Sequence, residues 1–369
     1  MSLIESKYFA NLFADIATVC GHEANYQAHV ADHLADCFGI NRVAREYKDS
    51  RVGRGGIDVA LLDKANGVPC ISFEIKGGAY GDRNALKDTI DSNGYCKDMD
   101  RLNVLAKDGV ECWFLCVDAV ELGRVMDDTL LRKASDNCRA KNIGFAYLSQ
   151  DEKYAHIWYP DGRYVEPELI SRDSNGASAE EAHNLLLSER FWKNITDEIK
   201  TSSAYECDIQ ALIYRNLRQS RCAPSQVSLE TYFNFAVENG KRMQKRPDIC
   251  LFEPSIDGHF NLYANGKRSQ TNDPRKLSSL CAVIEIKGGR SLQKSSDRLV
   301  MQKYVDDLNK LIEWRGRIER HPSAPDSISA QCHYHFVAVD LRKKLLGKES
   351  LSELETHASE ASLRFHYLN

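Results

Sequence analysis

Apolar residues near the start of the chain recur at helical spacing. Phe9, Leu12, Phe13 and Ile16 form one stripe, and Tyr26, Val30 and Leu34 form a second after Gly21, which predicts two helices between residues 6 and 37. Residues 40–54 read as an extended segment carrying Arg42, Arg45, Lys48, Arg51 and Arg54. The period then shortens to that of strands. Residues 58–62 and 69–76 are apolar runs joined by Lys64-Ala65-Asn66-Gly67, and Asn-Gly between such runs signals a hairpin. A polar loop, a helix ending in 97–106, a buried strand at 112–117, another helix and a strand at 145–148 complete the series.

That series is written twice. Glu74-Ile75-Lys76-Gly77-Gly78 recurs as Glu285-Ile286-Lys287-Gly288-Gly289, each closing a β-branched run. The flanks agree in the same order. Glu23-Ala24-Asn25-Tyr26-Gln27-Ala28 matches Glu206-Cys207-Asp208-Ile209-Gln210-Ala211, and Ile57-Asp58-Val59 matches Pro247-Asp248-Ile249. Residues 97–103 match 303–309, residues 113–118 match 335–340, and residues 145–148 match 365–368. Collinear blocks of this kind indicate a duplicated domain. The expected architecture is α/β, each copy a mixed sheet covered by helices. The copies occupy 1–149 and 191–369, separated by a 150–190 linker that contains a short hairpin around Pro160-Asp161-Gly162 and a polar run at 171–178. The second copy also carries an insertion of about two dozen polar residues, 254–278, with its own Asn265-Gly266 turn.

Composition changes this picture little. A chain of 369 residues with 43% apolar and 28% charged residues suits two ordinary domains. No run approaches a membrane span and the first residues lack the pattern of a signal peptide, so no membrane association and a cytoplasmic location are expected. The twelve cysteines are scattered singly with no C-x-x-C pair, as in a reduced chain without a zinc site. Cys112 and Cys116 read as buried small hydrophobes. His29 and His33 stand one helical turn apart, but Leu212 and Asn216 replace them in the second copy, so a packing or solvated role is expected. No Gly-rich phosphate loop with Lys-Ser/Thr is present.

The chemistry concentrates at the repeated pentapeptide. On a strand, alternate side chains share a face, so the Glu and the Lys point together while the Ile between them points away. Pairing across the hairpin brings Asp58 beside Glu74, and the second copy brings Asp248 beside Glu285. Two carboxylates, with the main-chain carbonyl of Ile75 or Ile286, suit a hard cation such as Mg²⁺ or Mn²⁺ that keeps several waters. Such a cation acidifies a water into a nucleophile. Lys76 or Lys287 can orient that water or stabilise charge at phosphorus, and Glu23 or Glu206 can hold these groups in place. Net charge is −4, which neither announces nor excludes a polyanion partner; one divalent cation at each of the two sites would cancel it. Basic residues flank both sites, Arg51 and Arg54 in the first copy, Lys245, Arg246, Lys267 and Arg268 in the second; they read either as a solvated edge or as a rim that contacts the phosphates of a nucleic acid.

A helix acid, Pro247-Asp248 (Ile57-Asp58 in the other copy) and Glu-x-Lys resemble the PD-(D/E)XK superfamily, the restriction-endonuclease-like nucleases. The resemblance covers both halves; Ile57 in place of Pro is its one departure. It implies an αβββαβ core in each half, with Asp58, Glu74, Asp248 and Glu285 as metal ligands. It further implies Lys76 and Lys287 as catalytic lysines and Glu23 and Glu206 as supporting acids. The function implied is a Mg²⁺- or Mn²⁺-dependent endonuclease acting on double-stranded DNA, in restriction or defence against foreign DNA. The alternatives are a non-catalytic nucleic-acid-binding or assembly subunit on the same scaffold, and RNA as substrate.

Overall fold

The computed structural model describes residues 2–17, 23–53, 55–77, 96–118, 126–150, 154–169, 176–201, 204–231, 246–254, 263–264, 267–268, 277–321, 324–325 and 327–369. The chain is α/β with mixed sheets and divides into two compact units. One comprises Met1–Asp173 with His259–Ser269, the other Ser174–Gly258 with Gln270–Asn369.

In the first unit, α1 (Ser6–Ile16) and α2 (Glu23–Phe38) bury the two predicted stripes, Phe9, Leu12, Phe13 and Ile16, then Tyr26, Val30 and Leu34. Three strands follow as an antiparallel meander, β1 (Val43–Tyr47), β2 (Ile57–Leu62) and β3 (Pro69–Gly77). The segment expected to be extended is one strand, β1, flanked by single 3-10 turns at Ile40–Arg42 and Ser50–Val52. After α3 (Cys96–Lys107), β4 (Glu111–Asp118) lies parallel to β3. After α4 (Asp128–Ala140), β5 (Gly144–Ser149) lies parallel to β4.

The sheet is covered on both faces. Phe9, Phe13, Tyr26, Phe73 and Trp113 form one core, and Leu102, Leu105, Phe114, Leu131 and Phe145 form the other. Cys112 and Cys116 pack into the second core. Burial pushes the Cys112 thiol up to about 12, so both act as apolar filler.

The hairpin assigned to the linker is instead the far edge of this sheet. β6 (Tyr154–Trp158) pairs antiparallel with β5, and β7 (Tyr164–Val165) pairs with β6. Aromatic cross-strand contacts hold it there: Phe145 stacks on Trp158 at 5.3 Å and Tyr147 on His156 at 6.2 Å between ring centroids, the kind of pair that stabilises strand association.

The second unit opens with α5 (Ala179–Leu187), whose Ser178 and Glu181 form a capping box. α6 (Glu189–Ile199) and α7 (Glu206–Gln219) follow, then the short strands β8 (Val227–Leu229) and β9 (Ile249–Phe252). The insertion between β9 and β12 carries a two-residue ribbon of β10 (Tyr263–Ala264) with β11 (Lys267–Arg268), which is grouped with the first unit. β12 (Leu280–Gly288) pairs antiparallel with β9. β13 (His333–Val339), reached through α8 (Asp297–Glu319), is parallel to β12, and β14 (Arg364–Leu368), reached through α9 (Lys348–Glu360), is parallel to β13. The strand order β8-β9-β12-β13-β14 repeats the order β1-β2-β3-β4-β5 of the first unit. α8 runs for 23 residues because Ser296 caps its start and Val300, Tyr304, Leu308, Leu311 and Ile318 continue the buried stripe.

A buried acid closes the end of the central parallel strand in both units. Asp118 accepts from the Tyr147 hydroxyl at 2.9 Å, and Asp340 accepts from the Tyr367 hydroxyl at 2.8 Å. No helix among the described residues is long and apolar enough to cross a membrane.

Candidate functional site

The strand register assembles the site. Val59 pairs with Phe73 across β2 and β3, and Ile249 pairs with Ile284 across β9 and β12; one step further, Asp58 faces Glu74 and Asp248 faces Glu285. Each Asp is fixed by the main chain of the neighbouring strand. Asp58 Oδ2 accepts from the Ile75 N–H at 2.7 Å, and Asp248 Oδ2 accepts from the Ile286 N–H at 2.6 Å. The first residues of α2 and α7 supply the helix acids. Lys76 Nζ stands 3.3 Å from Glu23 Oε1 and 4.0 Å from Asp58 Oδ2, and Lys287 Nζ stands 3.3 Å from Glu206 Oε2. The four residues expected to act together in each copy thus converge.

Glycine follows the lysine at the end of each of these strands. Gly77 and Gly288 have φ of +126° and +127°, and a Cβ at either would lie 1.9 Å from the Val117 carbonyl oxygen or 2.0 Å from that of Val339. Only a residue without a side chain lets the end of β3 or β12 come this close to its neighbour.

Two groups escaped the sequence reading. α3 contributes Asp98 and Arg101: Asp98 Oδ2 is 3.5 Å from Lys76 Nζ, while Arg101 bridges Asp98 at 2.6 Å and Glu74 Oε1 at 2.8 Å. α8 contributes Asp307 and Lys310: Asp307 Oδ2 is 3.0 Å from Lys287 Nζ, and Lys310 pairs with Asp307. Each helix offers an acid followed three residues later by a cation, a spacing that shares one helix face. Residue-by-residue matching aligns Asp98 with Tyr304 and Arg101 with Asp307, so the equivalence is displaced by nearly one turn.

Each cluster holds four carboxylates, Glu23, Asp58, Glu74 and Asp98 or Glu206, Asp248, Glu285 and Asp307, against two cations. Burial first, and the crowding of carboxyls second, sets how these groups titrate. Burial and then the neighbouring Asp58 push Glu74 up to about 9, and burial foremost pushes Glu23 up to about 7. Burial also raises Asp58. Lys76 is raised in spite of its burial, because Asp58, Glu23 and Asp98 surround it; it stays an ammonium. In the second unit, burial and then Glu206 push Asp248 up to about 7, and burial with Asp248 holds Glu285 well above the carboxylate range.

These donors fit a divalent cation. Glu74 is fully buried and its Oε2 meets no donor among the described residues; its carboxyl faces that of Asp58 closely enough to share a proton with it, and a cation could take that proton's place. No group of three or more His, Cys, Asp or Glu side chains among the described residues could hold an ion. An ion here would therefore use the Asp58–Glu74 or Asp248–Glu285 pair and complete its shell with main-chain oxygen and water, as Mg²⁺ commonly does. The clusters differ in how the helix cation is placed: Arg101 occupies Glu74 Oε1, whereas Lys310 pairs with Asp307 and acts on Glu285 through its charge.

The basic residues expected at a phosphate rim are placed variously. Arg51 is held by Asp49 at 2.6 Å and Asp108 at 3.1 Å, and Arg246 by Glu230 at 3.0 Å. Lys267 and Arg268 lie on the β11 ribbon; Arg54 and Lys245 lie outside the described residues. His33 pairs with Asp15 at 2.9 Å and His29 is buried. No protein-family model matches the chain, and no curated protein matches it.

Proposed function

We propose that the chain is a divalent-cation-dependent endonuclease of the PD-(D/E)XK type, with one phosphodiester-hydrolysing site per unit and double-stranded DNA as substrate. The observation that carries this reading is the recurrence, in both units, of an Asp–Glu pair, a strand lysine and a helix glutamate within reach of one another. The element order, helix, three-stranded meander, helix and parallel strand, supports it in each unit. A role in restriction or defence against foreign DNA rests on the superfamily likeness alone.

Asp58 with Glu74, and Asp248 with Glu285, would hold Mg²⁺ or Mn²⁺, which supplies an acidified water and screens charge on the phosphate. Lys76, an ammonium throughout the neutral range, donates hydrogen bonds to that water or to a phosphoryl oxygen and takes up no proton. Glu23 and Asp98 fix the lysine's position, as Glu206 and Asp307 do for Lys287. The Arg101–Glu74 pair favours unequal sites, because a cation entering the first unit must share Glu74 with a guanidinium.

Incubation of plasmid DNA with Mg²⁺ is expected to give cleavage that EDTA abolishes. Lys76→Ala with Lys287→Ala should lower it by at least about 100-fold, the scale of losing a preorganised electrostatic group. Lys287→Ala alone should cost more than Lys76→Ala alone. Cleavage surviving in the double variant would overturn the site assignment.

A further inference from the structure

The ends of β12 and β13 in the second unit lead into two polar segments that face one another across a groove of about 810 Å³. One wall is 293–298, reached from Gly288 through the single turn Gly289–Leu292. The other is 342–344, which follows Asp340 at the end of β13. The groove is lined by Lys294, Arg298, Arg342, Lys343 and Lys344 against one carboxylate, Asp297. In a chain of net charge −4, five cations around one concavity are a strong local departure.

Its floor is rigid. Arg342 is buried and grips Asp340 at 2.8 Å and Asp297 at 2.6 Å, and it donates to the Ser295 carbonyl at 3.4 Å. This side chain ties the end of β13 to the start of α8, where Ser296 caps the helix. Lys344 reaches Asp297 at 3.7 Å. Lys294, Arg298 and Lys343 are exposed and make no ion pair among the described residues, so three cations stand at the rim open to a ligand. The groove lies at the carboxyl ends of the parallel strands, where open α/β sheets receive their ligands, and Lys294 is seven residues beyond Lys287.

We propose that this groove seats the phosphodiester backbone of a nucleic-acid strand and leads it to the site around Lys287. The inference rests on the nuclease reading for its destination, but the binding it asserts is separable from catalysis. Lys294, Arg298 and Lys343 contact successive phosphates, while Arg342 keeps the walls in register. Contacts of this kind position a strand without reading its bases.

Binding of a fluorescein-labelled 30-base-pair duplex, followed by anisotropy in EDTA between 50 and 300 mM NaCl, tests this. Removing three phosphate contacts should reduce the slope of log K against log salt by about 3, at roughly 0.9 per contact, and weaken binding on the order of 100-fold at 0.1 M salt. The variant carrying Lys294→Gln, Arg298→Gln and Lys343→Gln should show both effects. A charge-matched control with Lys7→Gln, Lys193→Gln and Lys200→Gln, all exposed, should keep the wild-type slope. Equal losses in the two triple variants, an unchanged slope in the groove variant, or no duplex binding by the wild type would each overturn the proposal. So would groove-dependent binding of a mononucleotide or inorganic phosphate as tight as that of the duplex, because the ligand would then be a free phosphate compound. Groove-dependent duplex binding without Mg²⁺-dependent cleavage would leave this inference standing and remove the nuclease reading.

Discussion

Gly288 and His366 show how single residues constrain the second unit in opposite ways. At Gly288 a methyl group would meet the Val339 carbonyl oxygen at 2.0 Å, and φ is +127°. Gly288→Ala is therefore expected to destabilise by on the order of 3 kcal/mol, from strain and overpacking together, a loss that urea denaturation reads directly. Where the first unit has Phe9 against Trp113, at 4.6 Å between rings, the second stacks Trp192 on His366 at 4.0 Å, and His366 shares a 2.9 Å hydrogen bond with His335. His183 on α5 stacks on His333 of β13, and Arg364 of β14 adds a further positive charge nearby. Burial first, then the neighbouring imidazoles and Arg364, holds His335 well below its ordinary value; burial and then Arg364 bring His366 to about 4. A histidine that is neutral when folded but takes a proton near pH 6.5 when unfolded stabilises the fold above that pH. Its contribution is lost as pH falls toward 4, by up to about 1.4 kcal/mol per pH unit for each group. His366→Gln should flatten this acid limb in urea melts between pH 6.5 and 4, and an unchanged limb would show that the imidazole stack does not govern it.

At the scale of elements, α3 and α8 each bring a second helix acid to the strand lysine, Asp98 to Lys76 and Asp307 to Lys287. Asp307→Asn removes the 3.0 Å ion pair to Lys287 while keeping the shape of the side chain. If Lys287 works by position, turnover at the second site should fall about 10-fold with little change in KM, measured on DNA in a Lys76→Ala background; an unchanged kcat would assign α8 a purely structural part. Asp307 also shows where sequence legibility ended. Strand and helix periods, the hairpin turn and the repeated Glu-x-Lys place Asp58, Glu74, Lys76 and Glu23 together, because strand register and helix starts are local properties. Asp98 and Asp307 reach the same space from helices displaced by nearly one turn, which matching at fixed offsets hides. The hairpin of β6 and β7 is legible as local alternation around a turn, but its place at the sheet edge is not, because the second sheet has no counterpart to it among the described residues. Arg51 was a sound surface candidate by composition, but Asp49 two residues earlier neutralises it. The rim cations at 294–298 and 342–344 are separated in sequence by a whole helix and a strand, and only the fold brings them together.

For the molecule as a whole, the two acid clusters set the dependence on both pH and cations. With no cation bound, carboxyls raised by the fold bind more protons in the native than in the unfolded state. Their contribution is complete below about pH 4.5 and is lost as pH rises through the folded values, about 7 for Asp248 and about 9 for Glu74. Divalent cations bind the ionised pairs, so uptake must expel the protons these groups carry, and affinity must rise with pH across the same interval. Titration with Mn²⁺ is expected to show two ions per chain, one per cluster, with affinity increasing between pH 6 and 9. Calorimetry in two buffers of different ionisation heat should give net proton release at pH 7. Asp58→Asn with Asp248→Asn should abolish both events, and thermal stabilisation by Mn²⁺ should disappear with them. Uptake with no proton release, or uptake that survives the double variant, would place the ions elsewhere and leave the buried carboxyl pairs as neutral, hydrogen-bonded structure.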